Sequence, residues 1–192
     1  MGDPQTIVDF VTWSVTNYPA EHYALILWDH GGGIDGVCWD EDNGDDNINI
    51  FELRNALNTI YTDLGIKLDI LGFDACLMGM IEIAYQVRDY VDYVVFSEEV
   101  IYEYGWPYSE ILEDLVNNPD MSPAEFAKVI VDRYVESYNN GSNGISYDAT
   151  MSAINISALT KFAYRKLDRV LGELLRNYDT YSDAIDYAAT NA

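Results

Sequence analysis

Ala24-Leu25-Ile26-Leu27-Trp28 runs straight into Asp29-His30-Gly31-Gly32-Gly33, and Leu68-Asp69-Ile70-Leu71-Gly72-Phe73 runs into Asp74-Ala75-Cys76. Each is a short apolar run of strand length that stops at a residue able to do chemistry. In parallel α/β sheets, functional groups collect at the carboxyl edge of the strands, so two such strand ends deliver an imidazole and a thiol to one crevice. His30 is the candidate base and Cys76 the candidate nucleophile. A free thiol with a pKa of roughly 8.5 is a weak nucleophile, and an imidazole or a helix N-terminus beside it raises the thiolate fraction. The segment after Cys76 reads as a helix over about 77–89, with Met80, Ile81, Ala84 and Val87 at helical spacing, so both aids are expected there. Three glycines after His30 let backbone amides approach a substrate, as an oxyanion site for acyl transfer requires, and the amides of Gly31 and Cys76 are the candidates.

Working outward, Asp3-Pro4 reads as a helix start, and Ile7, Phe10, Val11, Ser14 and Val15 continue at helical spacing until Tyr18-Pro19. A strand is expected over 23–28, a Gly- and Asp-rich loop up to Asn49, a helix over 50–61, and a strand over 67–72. Beyond the helix after Cys76 come a strand over 93–96, helices near 107–117 and 123–138, and a Gly/Asn/Ser turn at 139–144. A strand near 149–155 and a long helix over about 157–178 complete the pattern. Strand and helix in alternation predict βαβ units and a mainly parallel sheet, giving an α/β three-layer α-β-α sandwich. No linker or repeat divides the chain, so one domain over 1–192 is expected.

The 192 residues are 49% hydrophobic and 14% aromatic, which predicts a folded chain despite a formal charge of −23. That field opposes nucleic acid and anionic membranes and favours basic peptides or divalent cations. No apolar stretch approaches the roughly 20 residues of a membrane span, and residues 1–4 show no signal-peptide pattern. Cys38 and Cys76, the two cysteines, make neither a disulfide framework nor a zinc-ligand spacing. Asp40, Glu41, Asp42, Asp45 and Asp46 crowd one loop around Asn43-Gly44. Asp40, Asp42 and Asp45 are candidate ligands for a hard cation such as Ca2+, although the spacing is not that of an EF-hand and charge runs of this kind more often simply face water.

The segments Tyr18-Pro19-Ala20-Glu21-His22-Tyr23, Trp28-Asp29-His30-Gly31-Gly32-Gly33, Gly72-Phe73-Asp74-Ala75-Cys76-Leu77-Met78-Gly79-Met80 and Gly105-Trp106-Pro107-Tyr108 resemble the clostripain family of cysteine peptidases. The likeness runs from the first helix to Ser152-Ala153-Ile154-Asn155 and the helix after it. It implies a caspase-like fold, a His30–Cys76 dyad, and cleavage of protein or peptide substrates after arginine or lysine, with no cofactor needed for the chemistry. Asp74 falls on the acidic position that selects the basic side chain; the plain alternative is a carboxylate capping the helix after Cys76. Glu98 and Glu99, at the end of a strand on the same edge, and Trp106, as a cleft wall, are further candidates for that pocket. The same resemblance implies calcium dependence and export to the envelope or medium, although the chain carries no address.

Three departures stand out. Arg54 and Lys67 are the basic residues between His30 and Cys76, one in a predicted helix and one at a strand start, so self-processing there is not expected. The family fold begins with a strand before the first helix, which nothing here supplies, and this suggests a piece of a longer protein. Ile101-Tyr102-Glu103-Tyr104 stands where the family has a Pro/Gly turn, so the pocket floor is expected to differ. The competing functional class is a catalytically silent caspase-like domain that binds a basic peptide or metal within a larger assembly.

Overall fold

The computed structural model describes residues 2–139 and 148–191, so the turn expected at 139–144 lies almost wholly outside the described residues. Two compact units are present, Met1–Ile156 and Ser157–Ala192.

In the first unit, helix α1 (Gln5–Asn17) starts where Asp3 Oδ1 accepts a hydrogen bond from the Gln5 amide, 2.9 Å. Its Ile7 and Val11 are buried, and with Phe10 they follow the expected apolar stripe, although Phe10 itself is exposed. Strand β1 (Ala24–Trp28) follows. The region read as a loop up to Asn49 instead contains an antiparallel hairpin, β2 (Val37–Asp40) and β3 (Asp46–Ile48), around a 3-10 turn at Glu41–Asn43. The strands have only four and three residues, and a bulge shifts their register between Val37 and Asp40, so no alternation long enough to read survives in the sequence.

Helix α2 (Ile50–Leu64) begins with a capping box: Asn49 Oδ1 accepts from the Phe51 and Glu52 amides, and Glu52 Oε2 accepts from the Asn49 amide. Leu53, Ala56, Leu57 and Ile60 form its buried face, as their spacing predicts. Strand β4 (Leu68–Asp74) is the central ribbon, and helix α3 spans only Ile81–Gln86. Strand β5 (Val91–Phe96), helix α4 (Tyr108–Asn117), helix α5 (Pro123–Asn139) and strand β6 (Ser152–Asn155) follow.

The main sheet has the order β1-β4-β5-β6, parallel except for β6, which runs antiparallel to β5. Alternation along the strands sends residues to opposite faces. Ile70 and Val95 pack with Ile130, Tyr134 and Tyr138 of α5 and with Trp106 and Ile111 on one face. Leu25 and Leu27 point the other way and, with Ile7 and Phe10 of α1, border an apolar groove. Helices thus cover both faces of a mostly parallel sheet, which is the layered α/β architecture expected. A bidentate ion pair of Arg133 with Asp114 ties α5 to α4 and holds the Asp114 carboxyl below its ordinary range.

In the second unit, the long helix expected over about 157–178 is interrupted. Helix α6 (Ile156–Phe162), whose first residue closes the first unit, is followed by a π-helical turn (Ala163–Leu167), α7 (Asp168–Arg176) and α8 (Tyr178–Thr190).

Candidate active site

The register of β1 on β4 decides where the two chemical residues go. Trp28 pairs with Asp74, so His30 and Cys76 each lie two residues beyond matched strand ends, on the same edge of the sheet. The backbones there are in direct contact: a Cβ placed on Gly31 would stand 2.3 Å from the Cys76 carbonyl oxygen and 3.0 Å from the Cys76 nitrogen. Only glycine permits that approach. The hairpin clamps the histidine loop from the other side. Gly31 bridges to Val37, and the Cys38 amide donates to the His30 carbonyl, 3.0 Å. His30 is exposed, its amide donating to Asp29 Oδ1 at 2.7 Å, and it borders a cleft of about 310 Å3 lined by Asp29, Trp39, Asp40, Glu41 and Asp42.

Cys76 is partly buried, but not at a helix N-terminus. The expected helix over 77–89 is reduced to α3, five residues downstream. Leu77 adopts a left-handed φ of 63°, and the Leu77 and Gly79 amides donate to the Glu99 and Ser97 carbonyls instead of starting a helix. The helix-dipole aid to the thiolate is therefore absent, because long-range pairing with the chain after β5 outcompetes local helix propensity. Within that same chain, the Ile101 amide donates to Cys76 Sγ at 3.3 Å, and Cys76 Sγ lies 3.6 Å from the Ile101 carbonyl oxygen. The backbone of Ile101 thus covers the sulfur.

Asp74 is 2% exposed. It caps no helix: its Oδ2 accepts from the Trp106 amide at 3.1 Å and from the Tyr108 hydroxyl at 2.9 Å, while Oδ1 has no partner. Burial pushes the Asp74 carboxyl above its ordinary pKa, and those two donors only partly offset this. Burial, then the Asp74 carboxylate, raises the Tyr108 hydroxyl. Gly105, with φ 60°, lies so close to Asp74 that a Cβ there would stand 2.9 Å from Oδ2.

The other sequence candidates are dispersed. Glu98 and Glu99 are exposed and do not join Asp74, although the Glu99 amide donates to Ser97 Oγ. Trp106 is 3% exposed and packs in the core, so its backbone amide, not its ring face, meets Asp74. Asp40 and Asp42 line the cleft beside His30, whereas Asp45 does not. Among the described residues no three His, Cys, Asp or Glu side chains gather as a metal ligand set, and no chemical step is assigned to a metal.

Sequence reasoning missed Ile101, Tyr108 and Tyr134. Tyr108 stands directly after the Gly105-Trp106-Pro107 run, and Tyr134 and Tyr138 share a helix face at i, i+4, signals that mark neighbours but not the Tyr108–Asp74 hydrogen bond or the shared burial of the two helix tyrosines.

Comparison with known proteins gives a consistent result. The chain is similar to clostripain from Hathewaya histolytica, with 33% identity over an alignment of 139 residues covering 62% of this chain and 26% of that protein. Its structure is similar to a secreted C11 cysteine protease from Bacteroides thetaiotaomicron solved with an irreversible peptide inhibitor. The TM-score is 0.71 and the identity 27%, covering 84% of this chain and 47% of the other. It is also similar to an inactive zymogen C11 protease from Parabacteroides distasonis, with a TM-score of 0.65 and 25% identity over 85% of this chain and 42% of that one. The chain therefore spans about a quarter of the curated relative and under half of either structural relative. With the clostripain family model matching residues 1–190, on a sheet edge that brings a histidine turn against a cysteine turn, the chain belongs to the clostripain family.

Proposed function

We propose that this chain carries the catalytic core of a cysteine endopeptidase that cleaves after arginine or lysine. The observation that carries the reading is the contact of the His30-Gly31 turn with the backbone of Cys76, two residues beyond a buried Asp74 with one unpaired carboxylate oxygen. Cys76 is the nucleophile: its proton passes to His30 as sulfur attacks the scissile carbonyl. The Gly31 and Cys76 amides stabilise the oxyanion. His30 then gives the proton to the departing amine, and the remaining thioester is hydrolysed by a water that His30 deprotonates. Asp74 supplies the countercharge for the basic side chain, which offsets the desolvation that raises its own pKa. Asp74 is buried, and Cys76 Sγ is held against the Ile101 backbone, which must move off the sulfur for a substrate carbonyl to reach it.

An arginyl peptide amide reporter tests the reading. Release is expected from the wild type and none from Cys76→Ala; equal release from both overturns it. An alkylating arginyl probe that leaves Cys76 unlabelled in the intact chain favours the silent binding domain instead.

A further inference from the structure

Among the described residues, three buried side-chain atoms have no hydrogen-bond partner: Asp74 Oδ1, Trp106 Nε1 and Tyr134 OH. Their residues are 2%, 3% and 0% exposed, and buried polar groups are ordinarily paired. The three belong to one neighbourhood. Trp106 and Tyr134 share a core cluster, and the Trp106 amide holds Asp74 Oδ2. The Tyr134 ring lies 4.9 Å from that of Tyr138, whose hydroxyl donates to the carbonyl of Gly105, the residue backing onto Asp74. Burial first, then Tyr138, Asp74, Tyr102 and Cys76, raise the Tyr134 hydroxyl pKa, so it sits within the field of both the proposed nucleophile and the proposed countercharge.

An unpaired hydroxyl in the same buried neighbourhood as a carboxylate suits a ligand with more donors than the carboxylate alone can satisfy. A guanidinium presents five N–H donors in a planar fork, an ammonium three on a single rotatable head. With Oδ2 already accepting two hydrogen bonds, Asp74 has Oδ1 left to offer, and a buried guanidinium needs further acceptors. Trp106 Nε1 is a donor only and offers a cation no acceptor.

We infer that Tyr134 is a specificity-determining residue whose hydroxyl oxygen accepts a hydrogen bond from the guanidinium of a substrate arginine held by Asp74, making the pocket select arginine over lysine. The inference rests on the reading of Asp74 as the basic-residue pocket.

The test compares wild type, Tyr134→Phe and Asp74→Asn on matched arginyl and lysyl peptide amides, with thermal unfolding of each. Tyr134→Phe removes one oxygen that has no partner in the folded chain, so its unfolding midpoint is expected to match or exceed wild type. Its kcat/KM for the arginyl substrate is expected to fall about tenfold, and that for the lysyl substrate less than threefold. An unchanged arginine-to-lysine ratio, with Asp74→Asn losing basic selectivity, overturns the Tyr134 assignment alone. Retention of basic selectivity by Asp74→Asn, or its absence from wild type, overturns the pocket reading and the inference with it.

Discussion

Replacing Asp74 by Asn should make the protein more stable while removing its selectivity. Asp74 is 2% exposed and carries one oxygen without a partner, so its charge is held out of water with only the Trp106 amide and Tyr108 hydroxyl to compensate. An unsatisfied buried group costs about 1–3 kcal/mol. Asparagine keeps an oxygen for those two donors and removes the charge, but it puts an amino group where Oδ1 was, so the gain belongs at the lower end, about 1 kcal/mol. For a chain of this size that raises the unfolding midpoint by about 2–4 °C.

The pH dependence follows from linkage. Burial raises the Asp74 pKa in the folded state, so the folded chain binds this proton more tightly than the unfolded chain. The group's contribution is most favourable below the ordinary carboxyl pKa near 3.9 and is lost as pH rises above it toward the folded value. The midpoint gap between Asp74→Asn and wild type should therefore be widest near pH 7.5 and narrow near pH 4. Calorimetry at both pH values reads the gap. A variant less stable than wild type at pH 7.5, or a gap equal at the two pH values, refutes the desolvation argument. In the same preparations, loss of the countercharge should lower kcat/KM for an arginyl substrate by roughly a hundredfold or more, the usual cost of leaving a buried cation unpaired.

Gly31→Ala would place a methyl 2.3 Å from the Cys76 carbonyl, forcing the two turns apart. A displacement of about 1 Å at a reacting centre costs on the order of a hundredfold, so kcat should fall by that much with KM changed less; wild-type kcat excludes the contact. Burial, assisted by Asp29, pushes the Cys38 thiol up to about 11, leaving roughly a thousandth as thiolate at pH 8. Mass spectrometry after brief alkylation of the folded chain should find an adduct on Cys76 and none on Cys38, and equal labelling would contradict the burial of Cys38. Asn49→Ala removes the acceptor for the Phe51 and Glu52 amides. It should cost about 1 kcal/mol, or about 2–4 °C in midpoint, with peptidase activity at the assay temperature unchanged. A larger loss of activity than of stability would tie that cap to the site.

The two strand ends were legible because each is a local pattern: a run of apolar residues at strand length, closed by a residue of distinct chemistry. The helix faces of α1 and α2 were legible for the same reason, since side-chain periodicity is set by neighbours a few residues away. The hairpin at 37–48 was not, because its strands are too short and bulged to show alternation. The helix after Cys76 was overestimated for the opposite reason. The expected helix included residues 77–80, yet the Leu77 and Gly79 amides pair with the Glu99 and Ser97 carbonyls, some twenty residues on.

Residue order alone determined the alternating α/β plan and which histidine and which cysteine close strands, because strand and helix periods are written within a dozen residues. Tertiary structure alone decided that Trp28 pairs with Asp74, that Ile101 lies on the Cys76 sulfur, and that the Trp106 amide and the Tyr108 hydroxyl hold the Asp74 carboxyl. Those contacts join residues 25 to 46 positions apart, and their energy comes from sheet register and shared burial, quantities that exist only once the chain has closed on itself.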